Sequence, residues 1–129
     1  METQTIATPN APQAIGPYSQ GKRAGNFIFT AAQVAIDPRT LGKLVPGGIR
    51  EQTEQVLKNL AAILEAGGGS LADVVKTTVF VVDLSEFAVM NEVYGQFFKQ
   101  SLPARSTVQV AALPLGGRVA IDVIAALPV

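Results

Sequence analysis

Arg105 is the residue of this chain whose chemistry is easiest to anticipate from its side chain and its neighbours. Its guanidinium is always charged and presents a planar fork of donors that matches a carboxylate. Pro103 precedes it, and since proline disfavours a helix there, we predict that Arg105 enters an extended strand. Two interpretations are open from these residues: Arg105 pairs with a surface Asp or Glu, or it binds the carboxylate of a small molecule.

Composition excludes several other chemistries. The chain has 129 residues, of which 48% are hydrophobic and 16% charged, and it contains no cysteine and no histidine. Disulfides, thiolate nucleophiles, cysteine-based zinc sites and a Ser-His-Asp triad are therefore impossible. The formal net charge is zero and no basic block is present, so we expect no nucleic-acid partner.

The chain also has the features of a single cytoplasmic domain, residues 1–129. It contains no run of about eighteen apolar residues, so we expect no membrane span and no membrane partner. The segment Met1–Thr5 lacks the basic and apolar regions of a secretory signal. The length suits one hydrophobic core.

The periodicity of the apolar residues predicts two helices. The first begins at Ile49 and ends at Gly67, where three glycines follow one another, and the second carries the apolar stripe from Phe87 to Phe98. Five strands are predicted around them: a short edge strand within residues 1–17, then Asn26–Val34, Val74–Val82, Arg105–Ala111 and Arg118–Ala126. The order β-β-α-β-α-β-β predicts an α+β fold with both helices on one face of a mixed sheet.

In the predicted central strand Val74–Val82, the side chains that alternate to one side and those that alternate to the other are both largely apolar. We expect one set on each side of the sheet: Val75, Val79 and Val81 on one, and Val74, Phe80 and Val82 on the other. Two helices cover only one face, so the other face is expected to lie against a second copy of the chain. A site at the sheet edge would then lie between subunits of a homo-oligomer.

Several segments in order resemble one known family across nearly the whole chain. They are Ile15–Gln20, Gly25–Thr30 with Gln33, Val74–Phe80, Asn91–Tyr94, Pro103–Ser106 and Val110–Pro114. Together they resemble the RidA family, also called YjgF. The resemblance implies a chorismate-mutase-like α+β fold assembled as a homotrimer, with sites between subunits. It further implies hydrolysis of reactive 2-imino acids to 2-oxo acids and ammonia, without cofactor or metal.

The resemblance also assigns site residues. The family's carboxylate-binding arginine corresponds to Arg105, its tyrosine after Gly-Pro to Tyr18, and its helix asparagine to Asn91. Thr107 stands where the family often has cysteine, at a position thought to act through its backbone carbonyl. Structural alternatives remain open for three of them: Tyr18 could anchor its loop, Asn91 could be a satisfied helix residue, and Thr107 could reflect β-propensity.

Two alanines depart from the family pattern within the expected substrate pocket. Ala31 stands where many members have serine, and Ala120 stands where they have the glutamate that holds the attacking water. Asp122 keeps the second acid of that pair, about 6–7 Å further along the same strand face. An alternative function follows, a carboxylate-binding and non-catalytic or divergent protein. RNA cleavage, also attributed to the family, is a third hypothesis that the absence of histidine and of a basic patch disfavours.

Overall fold

A computed structural model describes residues 2–129 as six strands and two helices. The strands are β1 (Thr3–Ile6), β2 (Gly21–Ala24), β3 (Phe27–Thr30), β4 (Val74–Val81), β5 (Ala104–Gln109) and β6 (Val119–Ala126). The helices are α1 (Ile49–Ala66) and α2 (Phe87–Phe97). Short 3₁₀ turns at Leu71–Asp73, Leu84–Glu86 and Pro114–Gly116 join these elements.

All six strands form one mixed sheet in the order β1-β2-β3-β6-β4-β5. Only β4 and β5 pair in parallel, with α2 as the crossover between them. The predicted α+β class with two helices on a mixed sheet is confirmed. One strand was missed, because β2 contains Lys22 and Arg23 and lacks the apolar alternation that marks a strand. It is held by pairing with β1 and β3 on either side.

The apolar stripe of helix α1 and the residues at its two ends both favour a helix over this segment. The Glu51 carboxylate accepts a hydrogen bond of 2.8 Å from the Gly48 N–H, which satisfies a backbone donor at the helix start. The helix ends before Gly67, as predicted. Gly68 has φ of +94°, which favours glycine, and a Cβ at Gly67 would lie 2.6 Å from Ile6 Cδ1. The glycines therefore end the helix and let it dock closely on β1.

The start of β4 contains a β-bulge that the alternation pattern did not predict. Val74 pairs with Ala125 and Lys76 with Ile124, so Val75 has no partner of its own on β6. Val75 is consequently exposed, whereas Val74 is buried on the same side as Val79 and Val81. The expectation that Val75 shares a face with Val79 is therefore wrong, because one extra residue shifts the side chains before it to the other face.

The two faces of the sheet differ in what covers them. The helix-covered face carries the core, in which Ile28, Val79, Ile121 and Ala125 are completely inaccessible to solvent. The opposite face, called the open face below, carries Phe27 and Phe29, each 43% exposed. Val108 on β5 lies on the same side and is also 43% exposed. This face presents large apolar groups to solvent in a single chain.

Thr53 on α1 gives a test of the core. Its side chain is fully buried and its hydroxyl has no hydrogen-bond partner among the described residues. Thr53→Val removes this unsatisfied hydroxyl at constant volume, so we expect a gain of about 1 kcal/mol in unfolding free energy and about 4 °C in Tm. Thermal denaturation followed by circular dichroism measures the change. Thr53→Ser keeps the hydroxyl and loses a methyl, and a Tm above the Thr53→Val value would contradict this account.

A candidate anion site centred on Arg105

Arg105 lies on the edge strand β5, on the helix-covered side of the sheet. It pairs in parallel register with Thr77 of β4, and Thr77 is buried beneath α2. The Arg105 guanidinium carbon lies 5.4 Å from the centroid of the Phe87 ring and 4.8 Å from that of the Tyr94 ring. Both rings belong to α2, so the guanidinium is held by cation–π contacts with two aromatic side chains of one helix.

Arg105 has no acidic partner in the described part of the chain. The ion pairs among residues 2–129 involve Arg39, Arg50, Lys58 and Arg118 as cations, and no carboxylate lies within ion-pair distance of Arg105. The interpretation of Arg105 as half of a surface pair within the chain is therefore not supported. A half-buried guanidinium with free donors is suited to an external anion.

Two buried polar atoms on α2 and β5, the elements that carry Arg105 and its aromatic contacts, lack partners. Asn91 lies on α2 one turn after Phe87 and three residues before Tyr94, and its Oδ1 is buried without a hydrogen bond. Thr107 pairs with Val79 and so shares the sheet face of Arg105, and its hydroxyl is likewise buried and unpartnered. Buried polar atoms normally find partners. The alternative in which Asn91 is a satisfied helix asparagine is therefore not supported for its Oδ1 atom.

Tyr18 lies in a second region, a shallow groove of about 100 Å³. The groove is formed by the N-terminal loop, the segment after β3 and the turn before β6, and its walls include Ile15, Tyr18, Ala32, Gln33, Pro114 and Leu115. Tyr18 is half exposed, and its hydroxyl accepts a hydrogen bond of 3.3 Å from the Ile15 N–H. It therefore braces its own loop, as the structural alternative expected, and also presents its ring to the groove.

Gln20 fixes this loop, and we did not predict its role from the sequence. Its side-chain amide donates to the carbonyls of Thr8, Ala11 and Pro12 at 3.1, 3.2 and 2.7 Å, and its carbonyl accepts from the Thr8 N–H at 2.7 Å. A buried glutamine with every contact to backbone holds irregular chain in place. No local sequence pattern marks it, because its partners lie eight to twelve residues away.

The two alanines lie apart from Arg105. The Ala31 N–H donates to the main-chain carbonyl of Gln20 at 2.9 Å, beside the groove that Tyr18 lines. Ala120 is 2% exposed and pairs with Phe80, which places it on the open face, opposite to the face of Arg105. Strand β5 is three steps from β3 in the sheet, a separation of about 14 Å. One chain therefore brings together Arg105, Asn91 and Thr107, but neither Tyr18 and Ala31 nor Ala120 joins them.

Asp122 is the acid nearest to Ala120 along β6. It lies on the open face opposite Thr78, and partial burial raises the pKa of its carboxyl above the ordinary value of 3.8. A hydrogen bond with Thr78 and the charge of Lys76 act on this pKa in the opposite direction. Lys76 in turn donates to the Ser106 hydroxyl at 3.0 Å. Asp122 thus belongs to a polar cluster on the open face rather than to the surroundings of Arg105.

Residues 2–129 contain neither a cluster of metal-ligating side chains nor a membrane-spanning helix. No group of three or more acidic, cysteine or histidine side chains there is arranged to hold a metal ion. No helix in the same residues has the length and apolar character needed to cross a bilayer.

The fold and the geometry around Arg105 together define a small α+β protein with a candidate anion site at a sheet edge. The family model described as Endoribonuclease L-PSP matches residues 8–127, and the chain belongs to this family, that of RidA and YjgF. The predicted resemblance is therefore confirmed.

Relatives and solved structures agree with this assignment. The 2-iminobutanoate/2-iminopropanoate deaminase of Mus musculus is 50% identical over 122 residues, which cover 95% of this chain and 90% of that protein. The crystal structure of RidA from Psychrobacter sp. PAMC 21119 has 49% identity and a TM-score of 0.92, with 96% of this chain and 99% of that chain covered. Escherichia coli TdcF with bound serine has 43% identity and a TM-score of 0.92, covering 97% and 99%.

The raised pKa of Asp122 predicts a pH-dependent stability difference. A carboxyl whose pKa is raised on folding stabilises the fold below its unfolded pKa, and this contribution is lost as pH rises through the folded pKa. Asp122→Asn should therefore have about the wild-type Tm near pH 3.5 and a higher Tm than the wild type at pH 7, because asparagine has no charge to desolvate. Thermal melts from pH 3.5 to 8 measure this.

Asp37 serves as the control of opposite sign. Its bonds to Arg39 lower its pKa from 3.8 to about 2, so its contribution is present above its unfolded pKa and is lost as pH falls through the folded pKa. Asp37→Asn should not exceed the wild-type Tm at pH 7. An Asp122→Asn difference that stays constant with pH would contradict the assignment.

Proposed function

We propose that this protein hydrolyses 2-imino acids to 2-oxo acids and ammonia, with Arg105 binding the substrate carboxylate. The observation that carries the proposal is the Arg105 guanidinium, which contacts the faces of two aromatic rings and has no acidic partner in residues 2–129. A fixed fork of free donors in a partly desolvated place suits bidentate binding of a carboxylate. The deaminase name of the mouse relative supports the reaction.

The unpartnered side-chain oxygens of Asn91 and Thr107 are suited to bind the nitrogen of the substrate. A 2-imino acid places a nitrogen two bonds from its carboxylate carbon, so a bound substrate presents an N–H close to the guanidinium. The buried Oδ1 of Asn91 is an acceptor without a donor, and the Thr107 hydroxyl can also accept. An N–H from the ligand would satisfy a buried group that the chain leaves unpaired, which favours nitrogen-bearing ligands.

The complete site is proposed to form between subunits of a homotrimer. Tyr18 and Ala31 lie at one part of the chain and Arg105 at another, and Ala120 occupies the opposite face of the sheet. These residues can share one pocket only if different copies supply them. The exposed Phe27 and Phe29 on the open face give such an assembly apolar surface to bury.

Hydrolysis of a 2-imino acid requires few catalytic groups from the protein. The oxygen of water adds to C2 while one proton passes to the nitrogen. The C–N bond of this adduct then breaks as its hydroxyl becomes the 2-oxo group, and the hydroxyl proton leaves with the nitrogen as ammonia. An imine conjugated to a carboxylate is already electrophilic, so holding the substrate and one water in place supplies much of the acceleration. Arg105 holds the carboxylate, Asn91 and Thr107 orient the nitrogen, and the Tyr18 ring closes the pocket from a neighbouring copy.

A second function, carboxylate binding without turnover, is favoured by one observation. Ala120 has only a methyl group where many family members have the glutamate that holds the attacking water. Asp122 is engaged with Thr78 near Lys76 on the open face. The decisive assay generates 2-iminobutanoate in solution with a dehydratase and follows its loss. A rate equal to that of buffer alone, with the assembly intact, would leave only the binding function.

The first prediction of this proposal concerns the carboxylate. Arg105→Ala should weaken binding of 2-oxobutanoate at least about thirtyfold, because removing one partner of a buried charged pair costs about 2–5 kcal/mol. Arg105→Lys should bind with intermediate affinity, since it keeps the charge but loses the fork. Isothermal titration calorimetry measures both. Arg50→Ala is the matched control, because Arg50 is exposed and pairs with Glu92, and equal losses in Arg50→Ala and Arg105→Ala would refute the assignment.

The second prediction concerns the missing acid. Ala120→Glu should raise the rate of imine loss about tenfold or more, because a carboxylate at this position can hold and polarise the water. The affinity for 2-oxobutanoate should change little, since Arg105 still holds the carboxylate. Ala120→Gln has the same size without the base. If the two variants turn over at the same rate, a water-holding role for position 120 is wrong.

A further inference from the structure

The orientation of Arg105 depends on more than its own strand. An arginine side chain has several rotatable bonds and loses rotamer freedom when it is fixed. Here the guanidinium carbon lies 4.8 Å from the centroid of the Tyr94 ring, closer than the 5.4 Å to that of Phe87. Whatever fixes the Tyr94 ring therefore limits where the guanidinium can point.

The Tyr94 ring is fixed at both of its ends. Its hydroxyl shares a buried hydrogen bond of 2.8 Å with the Thr77 hydroxyl, and its ring lies 4.6 Å, centroid to centroid, from that of Phe98. Tyr94 is 6% exposed and Thr77 is fully buried. Neither side chain is accessible enough to be the principal contact of a ligand, so any effect they have on binding acts through Arg105.

Thr77 connects the contact back to Arg105. It is the residue of β4 in register with Arg105 on β5, and both side chains point to the helix-covered face. The pairing of β4 with β5 thus sets the position of the Arg105 backbone, and the hydrogen bond between the two hydroxyls sets the position of the Tyr94 ring. The guanidinium then lies over this ring. A hydroxyl is unexpected at position 77 on packing grounds alone, because Val79 and Val81 occupy the equivalent buried places on the same strand face.

We propose that the Thr77–Tyr94 hydroxyl pair is a positioning device, which holds the aromatic ring that aims the Arg105 guanidinium at the substrate carboxylate. This inference rests on the proposed function. Thr77 and Tyr94 are positioning residues and not catalytic ones. Their contribution is to reduce the number of directions in which Arg105 points before the ligand arrives, so that less freedom is lost on binding.

The double variant Thr77→Val/Tyr94→Phe separates positioning from simple stability. It removes both hydroxyls together and keeps the volumes, and replacing both partners of a buried hydrogen bond by apolar groups is nearly neutral for stability. We expect its Tm to remain close to the wild-type value while its Kd for 2-oxobutanoate rises about three- to tenfold. In NMR relaxation, the Arg105 Nε–H should be more mobile on the ps–ns timescale than in the wild type.

Three controls make the result decisive. Thr77→Ser keeps the hydroxyl and should bind 2-oxobutanoate within about twofold of the wild type. Thr53→Val is the same type of change on α1, away from Arg105, and should alter Tm without altering Kd. Tyr94→Phe alone leaves the Thr77 hydroxyl unpaired, so it should lower Tm as well as affinity, and it serves in place of the double variant if that chain does not fold.

The outcomes distinguish this inference from the function on which it rests. Wild-type binding together with an unchanged Kd and unchanged Arg105 mobility in the double variant would overturn the positioning role and leave the proposed function intact. A loss of affinity in Thr77→Ser equal to that in the double variant would also overturn it, since the hydroxyl would not be the cause. Failure of the wild type to bind 2-oxobutanoate would overturn both.

Discussion

The contact between one guanidinium and two aromatic rings is the interaction on which the rest of this structure depends. A half-buried guanidinium has lost part of its hydration, and other groups have to compensate that loss. The rings of Phe87 and Tyr94 compensate part of the lost hydration through their negative faces and leave the N–H fork unoccupied. An ion pair with a neighbouring acid would stabilise the arginine equally well but would close the site to external anions.

The sheet explains why this contact lies where it does. A parallel pair at the end of an otherwise antiparallel sheet requires a crossover connection, and α2 supplies it. The crossover brings one aromatic face of α2 over the edge strand, so the charge sits at the margin of the core rather than within it. On the other side of the same sheet, the described residues 2–129 leave Phe27 and Phe29 each 43% exposed. The helix-covered face contains the hydrophobic core, and the open face presents apolar side chains to solvent.

The parts of this arrangement that depend on neighbouring residues in the chain could be predicted from the sequence. Pro103 placed Arg105 in a strand, the apolar spacing from Ile49 located α1, and the glycines after Ala66 located its end. The errors arose where pairing overrides local pattern. Strand β2 exists because two neighbouring strands bond to it, and Val75 changes face because a single residue is inserted before Lys76.

The aromatic contacts of Arg105 were not predicted, for a related reason. Phe87 and Tyr94 belong to an apolar stripe that is equally consistent with a core helix, and most of that stripe is indeed core. The distinguishing fact is which strand lies beneath them, and strand order is a property of the whole sheet. Gln20 was overlooked in the same way, because its partners are backbone carbonyls of a loop without regular structure.

The position of the candidate anion site along the chain has an evolutionary consequence. Thr77, Phe87, Tyr94 and Arg105 all lie within the β4–α2–β5 unit, residues 74–109, whereas the groove around Tyr18 is built from the N-terminal loop and the turn at Leu115. Loops tolerate insertion and substitution far better than a packed crossover unit does. Mutation can therefore remodel the groove while the proposed carboxylate-binding unit around Arg105 is inherited unchanged, so that one scaffold can change its specificity and keep its means of holding a ligand.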